Sequence, residues 1–217
     1  MEIIYDNAIT QTQVSQAAIS PAKAIQILKE GNERFVNNKT IKRDMKRQVE
    51  QTAEGQFPYA VVLSCIDSRV PTELVFDQGI GDIFNIRIAG NFVTNEILGS
   101  MEYACKVAGA KAIVVMGHTD CGAIKGAINK VTLGNLTDML NYLKPAVEAT
   151  EDVYADRSST NAAFVNSVAE LNVKLSAKDI LVKSEVLRRM YENKEIELIG
   201  GLYEVKTGRV QFIKYEA

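Results

Sequence analysis

Tryptophan is absent from this 217-residue chain, histidine occurs once, cysteine three times and proline four times. Three cysteines are too few for a disulfide framework, so the thiols are expected to be reduced, as in the cytoplasm. No apolar run approaches the ~18 residues needed to cross a bilayer. The stretch from Met1 to Ile19 lacks a basic segment followed by an apolar one, so a secretory leader is not expected. A formal net charge of −2 gives no reason to expect nucleic acid or a membrane as partner. Gly79-Ile80-Gly81 lacks the third glycine of a dinucleotide loop, and no Gly-Lys-Ser/Thr follows any glycine run, so a phosphate cradle is not expected.

Apolar residues make up 47% of the chain and charged residues 24%, the proportions of an ordinary globular protein with a sizeable core. No internal repeat, low-complexity segment or composition break divides it, so residues 1–217 read as one domain. Residues 1–19 are polar and weakly periodic, a tail or an arm packing on a partner. Residues 20–55 read as a helical arm. Ser20 and Pro21 are an N-cap and first helical residue, and Ile25, Leu28 and Phe35 give helical spacing to about Asn38. The basic cluster Lys42 to Arg47 reads as a solvated linking helix.

From residue 56 onward, short Val/Ile runs alternate with helical patterns. Tyr59–Leu63, Ile83–Ile88 and Ala112–Met116 are predicted strands. Asn95–Ala108 and residues 134–149, 158–174 and 177–193 are predicted helices, with Ser176 and Asp179 resembling a capping box. Ile196–Glu204 and Val210–Ile213 are predicted late strands joined through Lys206-Thr207-Gly208. The pattern predicts an α/β fold: a mostly parallel central sheet flanked by helices, with a C-terminal strand pair.

The two remaining groups of polar residues carry the chemistry. Cys65-Ile66-Asp67-Ser68-Arg69 follows the first predicted strand, and His118-Thr119-Asp120-Cys121-Gly122 follows the third. Ligands bind beyond the carboxyl ends of parallel strands, so these segments can meet. Cys65, His118 and Cys121 form a ligand set suited to Zn²⁺, with a fourth position open, as a catalytic site needs. A free carboxylate at Asp67 could block that position, and a bidentate Arg69 can hold it away. Cys105, mid-helix on the apolar side, reads as plain core.

These segments, together with Gly81-Asp82-Ile83-Phe84-Asn85-Ile86-Arg87-Ile88-Ala89-Gly90-Asn91, resemble the β-class carbonic anhydrases from about Pro21 to the end. The resemblance implies a zinc enzyme that converts CO₂ and water reversibly to bicarbonate and a proton by zinc-bound hydroxide. Its zinc ligands fall on Cys65, His118 and Cys121, and its Asp–Arg pair on Asp67 and Arg69. Substrate contacts fall on Gln56, Phe84, Ala89 and the Gly122 amide, and on Tyr103, which reaches the pocket from a neighbouring chain. Homodimers or homotetramers are implied. Val62 stands where gated members carry a tryptophan, so the resemblance does not extend to their inhibitory bicarbonate site. Two other functions use the same ligands: hydrolysis of carbonyl sulfide or carbon disulfide, and non-enzymatic binding of zinc or bicarbonate with Asp67 as fourth ligand.

Two thiolates cancel the formal charge of a zinc ion, whereas an all-histidine site leaves it uncancelled. Water at such a centre is acidified less, so activity is expected to climb through alkaline pH. A rate that stays flat from about pH 6.5 to about pH 9 would contradict this charge argument.

Overall fold

The Val/Ile runs form the centre of the sheet, and their burial dictates its layers. In a computed structural model, which describes residues 9–150 and 153–214, strands β1 (Ala60–Ser64), β2 (Ile83–Arg87), β3 (Ala112–His118), β4 (Glu197–Tyr203) and β5 (Val210–Lys214) lie in the order β2-β1-β3-β4-β5. All neighbours are parallel except β4 and β5. Every residue of β1 and β3 is buried, as expected for parallel strands covered on both faces. Alternation divides their side chains. Val61, Leu63, Ile113 and Val115 pack against Ile97, Met101, Val173 and Ile180. Val62, Val114 and Met116 face Ile27 and Leu28. The α/β class, the mostly parallel sheet and the C-terminal antiparallel pair agree with the sequence pattern.

Helix α1 (Gln13–Ala18) is tied to its own chain, because the buried Gln16 amide donates to Pro58 O at 2.7 Å and Ala108 O at 2.8 Å. The rest of the stretch read as a tail, residues 1–8, lies outside the described residues. Ser20 caps α2 (Pro21–Val36), accepting the Lys23 N–H, with Pro21 at the first position as expected. Within residues 20–55, α2 also contributes to the core, with Ile27 and Leu28 fully buried against the sheet, whereas the stretch after it is mostly exposed. Gly31 explains how closely α2 approaches: a Cβ there would stand 1.8 Å from Phe76 O.

The basic stretch before α3 (Met45–Thr52) departs from the solvated reading at one residue. The Arg43 side chain is 2% exposed and donates to Asp77 Oδ1 at 2.6 Å. Asp77, 3% exposed, also pairs with Arg34 at 2.5 Å and accepts the Ile41 N–H. Sequence charge counts cannot reveal this, because its partner lies far along the chain, beyond α4 (Thr72–Val75).

Several helix boundaries also differ. The predicted helix Asn95–Ala108 is α5 (Asn95–Glu102) followed by a π turn over Tyr103–Val107, where Cys105 is buried in the core. Residues 122–128 form helix α6 (Gly122–Ile128), for which the chain's apolar spacing gave no expectation. The 134–149 pattern is broken into α7 (Gly134–Asn141) and α8 (Lys144–Ala149), with a proline in the first turn of α8. Helix α9 (Ala162–Lys183) runs unbroken through the gap expected at 175–176. Ser176 is buried within it rather than capping, because Val173, Ala177 and Ile180 all pack into the core. The cap falls at Ser184, whose hydroxyl accepts the Leu187 N–H at the start of α10 (Glu185–Glu192).

Truncating Asp77 to alanine takes one carboxylate away from two arginines, one of them buried. The expected cost is about 3–5 kcal/mol of unfolding free energy, read from urea midpoints. A loss below about 1 kcal/mol would mean that the pair behaves like a surface one.

Candidate metal centre and its surroundings

Parallel pairing of β1 with β3, in the register Ser64↔Met116, brings their carboxyl ends to one edge of the sheet. Cys65 is the first residue after β1, His118 the last of β3, and Cys121 the N-cap residue of α6. The two sulfurs and the imidazole lie within 4.8 Å of one another, and all three residues are buried. His118 thus sits in the strand's final position rather than past its end, as the sequence pattern had suggested.

The ligand atoms are prepared for a cation. His118 Nδ1 lies 2.9 Å from Thr119 O, a contact that places the ring hydrogen on Nδ1 and leaves Nε2 as acceptor. Nε2 is buried without a hydrogen-bond partner, an arrangement that costs free energy unless something binds it. Hydrogen bonds from the Cys121 thiol and the Gly90 N–H hold the Cys65 thiol well below its ordinary value, against the opposing effect of burial. Cys121 moves the other way, because its thiol hydrogen is held by Cys65 and its site is buried. Two sulfurs and one imidazole acceptor fit Zn²⁺.

Asp67 faces this cluster without joining it. Its Oδ2 lies 3.7 Å from His118 Nε2. Arg69 donates to Oδ1 through Nε at 2.9 Å and to Oδ2 through Nη2 at 2.8 Å, and its main-chain N–H adds a bond to Oδ1. These bonds bring the Asp67 carboxyl down to about 2, so it is ionised at any ordinary pH. A cavity of about 380 Å³ opens beside the cluster, lined by Cys65, Asp67, Ala89, Gly122, Leu136 and Met139 among others.

Of the sequence-derived site residues, seven come together here: Cys65, His118, Cys121, Asp67, Arg69, Ala89 and Gly122. Three do not. Gln56 is exposed beyond the opposite, amino end of β1, beside Thr52 and Gly81. Phe84 and Tyr103 pack edge to face, with centroids 6.3 Å apart, and line a separate groove with Val61 and Arg87.

Other contributors escaped the sequence reading. Arg87 donates to Cys65 O at 2.9 Å and to Asp67 O at 2.7 Å, bracing the loop that carries both. A charged residue closing a mostly apolar strand was the available signal. Asn172 of α9 donates to Gly90 O at 2.8 Å, which fixes the turn whose N–H reaches Cys65. Its position inside a long helix gave no signal.

A sequence profile described as carbonic anhydrase matches residues 60–210. Carbonic anhydrase 2 of Mycobacterium tuberculosis is 32% identical over 88% of this chain and 91% of its own length. The carbonic anhydrase of Mycolicibacterium smegmatis is likewise 32% identical, over 88% and 93%. Among solved structures, a tetrameric β-carbonic anhydrase of Sordaria macrospora superposes with a TM-score of 0.68, at 26% identity, over 77% of this chain and 89% of that one. A β-carbonic anhydrase of Aspergillus fumigatus gives 0.69 at 23% identity, over 90% and 91%, and so supports the fold.

Removing one ligand should empty the centre. Cys65→Ser and His118→Ala proteins are expected to emerge from a zinc-containing medium with far less metal than wild type by elemental analysis, and Cys105→Ala with no less. Full zinc occupancy in His118→Ala would exclude this cluster as the binding site.

Proposed function

The chain belongs to the β-class carbonic anhydrases, and from that membership we propose that it catalyses the reversible hydration of CO₂ to bicarbonate and a proton with zinc held by Cys65, His118 and Cys121. The observation that carries the reading is the buried three-ligand cluster beside a carboxylate held back by its own arginine. A zinc ion in this position supplies Lewis acidity, which lowers the pKa of water from about 15.7 toward neutrality.

The chain's own residues do the rest. Arg69 grips both oxygens of Asp67 and so keeps the carboxylate from becoming a fourth ligand. A structural zinc site would be closed by four protein ligands, and this restraint argues for the open kind. Asp67, ionised throughout the working pH range, accepts a hydrogen bond from water entering the site and orients its lone pair. The apolar walls at Ala89, Leu136 and Met139 receive CO₂, which carries no charge to be solvated. The Gly122 amide is at the first turn of α6, where N–H groups lack helical acceptors, and it stabilises negative charge developing on the substrate oxygen. The only histidine is a ligand, so the proton leaves through water, buffer or a neighbouring hydroxyl such as that of Tyr103.

Gln56, Phe84 and Tyr103 lie on surfaces apart from the cavity, so we assign them to the site of a second subunit. This makes the working form a homodimer or an assembly of dimers, in keeping with the description of the Sordaria relative as tetrameric. Reduced thiolate ligands favour the cytoplasm. Among the described residues no helix is long and apolar enough to cross a membrane.

Stopped-flow CO₂ hydration, abolished by a zinc chelator and restored by zinc, is the direct test. Arg69→Ala should keep its zinc yet lose roughly 10²-fold or more in kcat, the scale for removing one preorganised group, because Asp67 is then free to take the open position. A fully active Arg69→Ala protein would remove the Asp67–Arg69 pair from the mechanism, and an inactive zinc-loaded wild type would remove the activity itself.

A further inference from the structure

Arg69 is held from two sides, and only one of them is Asp67. Its Nη1 donates to Asp120 Oδ2 at 3.2 Å and its Nη2 to the Asp120 main-chain oxygen at 3.3 Å. The other Asp120 oxygen pairs with Lys125 of α6. The Asp120 N–H donates to Asn166 Oδ1 of α9 at 3.0 Å. Four charges of alternating sign, Asp67, Arg69, Asp120 and Lys125, thus run from the mouth of the ligand cluster to the α6 surface.

We propose that Asp120 is a positioning residue that acts through Arg69 to hold Asp67 off the metal position. The proposal rests on reading the cluster as a catalytic zinc centre. The mechanical argument starts from chain connectivity. Asp67 and Arg69 are two residues apart on one loop, and Arg69 is 45% exposed. A pair linked only to each other can swing together toward the ligands without breaking a bond. Asp120 gives the guanidinium a second fixed point on a different segment, the one that carries His118 and Cys121. The carboxylate is thereby held relative to His118 and Cys121 as well as to its own loop, which carries Cys65.

The backbone separates this role from a merely structural one. Asp120 has φ +57°, in the left-handed region, which glycine adopts more easily than any other residue. Glycine would serve the turn at less conformational cost, so what aspartate adds at this position is its carboxylate.

Asp120→Gly therefore removes the carboxylate while relaxing the backbone. The expected protein has wild-type zinc content, an unchanged or raised Tm, and a kcat for CO₂ hydration about two- to five-fold lower, the factor set by an exposed ion pair. The visible spectrum of the cobalt-substituted protein should move toward that of Arg69→Ala, and should not respond to Asp120→Gly when Asp67 is replaced by asparagine. Asp120→Asn, which tolerates the same φ, should act in the same direction, as should Lys125→Met with a smaller effect. An unchanged cobalt spectrum in Asp120→Gly and Asp120→Asn, or the same shift in the Asp67→Asn background, would overturn the proposal. A wild type without CO₂ turnover would overturn the functional reading, and the cobalt spectra would still decide the part played by Asp120.

Discussion

The parallel pairing of β1 and β3 is the constraint on which the rest depends. Two adjacent parallel strands must end at the same edge of the sheet, and their next residues must leave the hydrogen-bonded ladder there. That edge is where Cys65 can converge with His118 and Cys121 although it lies far from both in sequence. An antiparallel pair would send the two segments to opposite edges. The requirement for parallel strands in turn demands cover on both faces, which α2 supplies on one side and α5, α9 and α10 on the other. The helices that make the core are therefore also what allows the ligands to meet.

Two aspartate–arginine pairs in this chain show how environment separates structure from chemistry. Asp77 is sealed between Arg34 and Arg43 with almost no exposure, so its counter-charges serve the fold. Asp67 has the same kind of partner but stands at a cavity mouth, where its Arg69 is nearly half exposed. There the pair contributes little to stability. What it fixes is a direction: the carboxylate faces the cluster at 3.7 Å from His118 Nε2, with both its oxygens held by the Arg69 guanidinium. The same chemical pair is thus a buried clamp in one place and an exposed, oriented carboxylate in the other.

The parts of this arrangement that could be read from sequence are those governed by local rules. Strand runs, the Ser20-Pro21 helix start and the two ligand motifs each follow from neighbours a few residues apart. The readings that fell short depended on distant contacts. Arg43 reads as solvated until Asp77 is placed beside it. Ser176 and Asp179 resemble a helix start until the packing of Val173 and Ile180 carries α9 straight through. Arg87 and Asn172 act through main-chain oxygens of other segments, and a carbonyl leaves no mark in a sequence. Five of the seven site residues that converge, Cys65, Asp67, Arg69, His118 and Cys121, were legible because they sit at strand ends or just after them, and Ala89 and Gly122 came from family resemblance. Gln56, Phe84 and Tyr103 came from family resemblance, and their distance from the cavity in one chain follows from the same strand geometry.

That distance bears on how the site is completed. A residue at the amino end of β1 is separated from Cys65 by the whole length of the strand, and no rotamer of Gln56 spans it. Phe84 lies on β2, the edge strand, with Tyr103 raised beside it on the π turn and 54% exposed. An aromatic pair on an open sheet edge, with Phe84 half-buried and Tyr103 exposed, is a surface that gains by being covered. The apolar cavity beside Cys65 is likewise open on one side in the single chain, with Ile66 at its rim 59% exposed. Two incomplete apolar surfaces on the same chain, one rich in aromatic rings and one concave, are complementary in kind. A two-fold arrangement that set each against its counterpart would bury both at once and exclude bulk water from the cluster. Assembly would then be a condition of catalysis rather than an accompaniment to it.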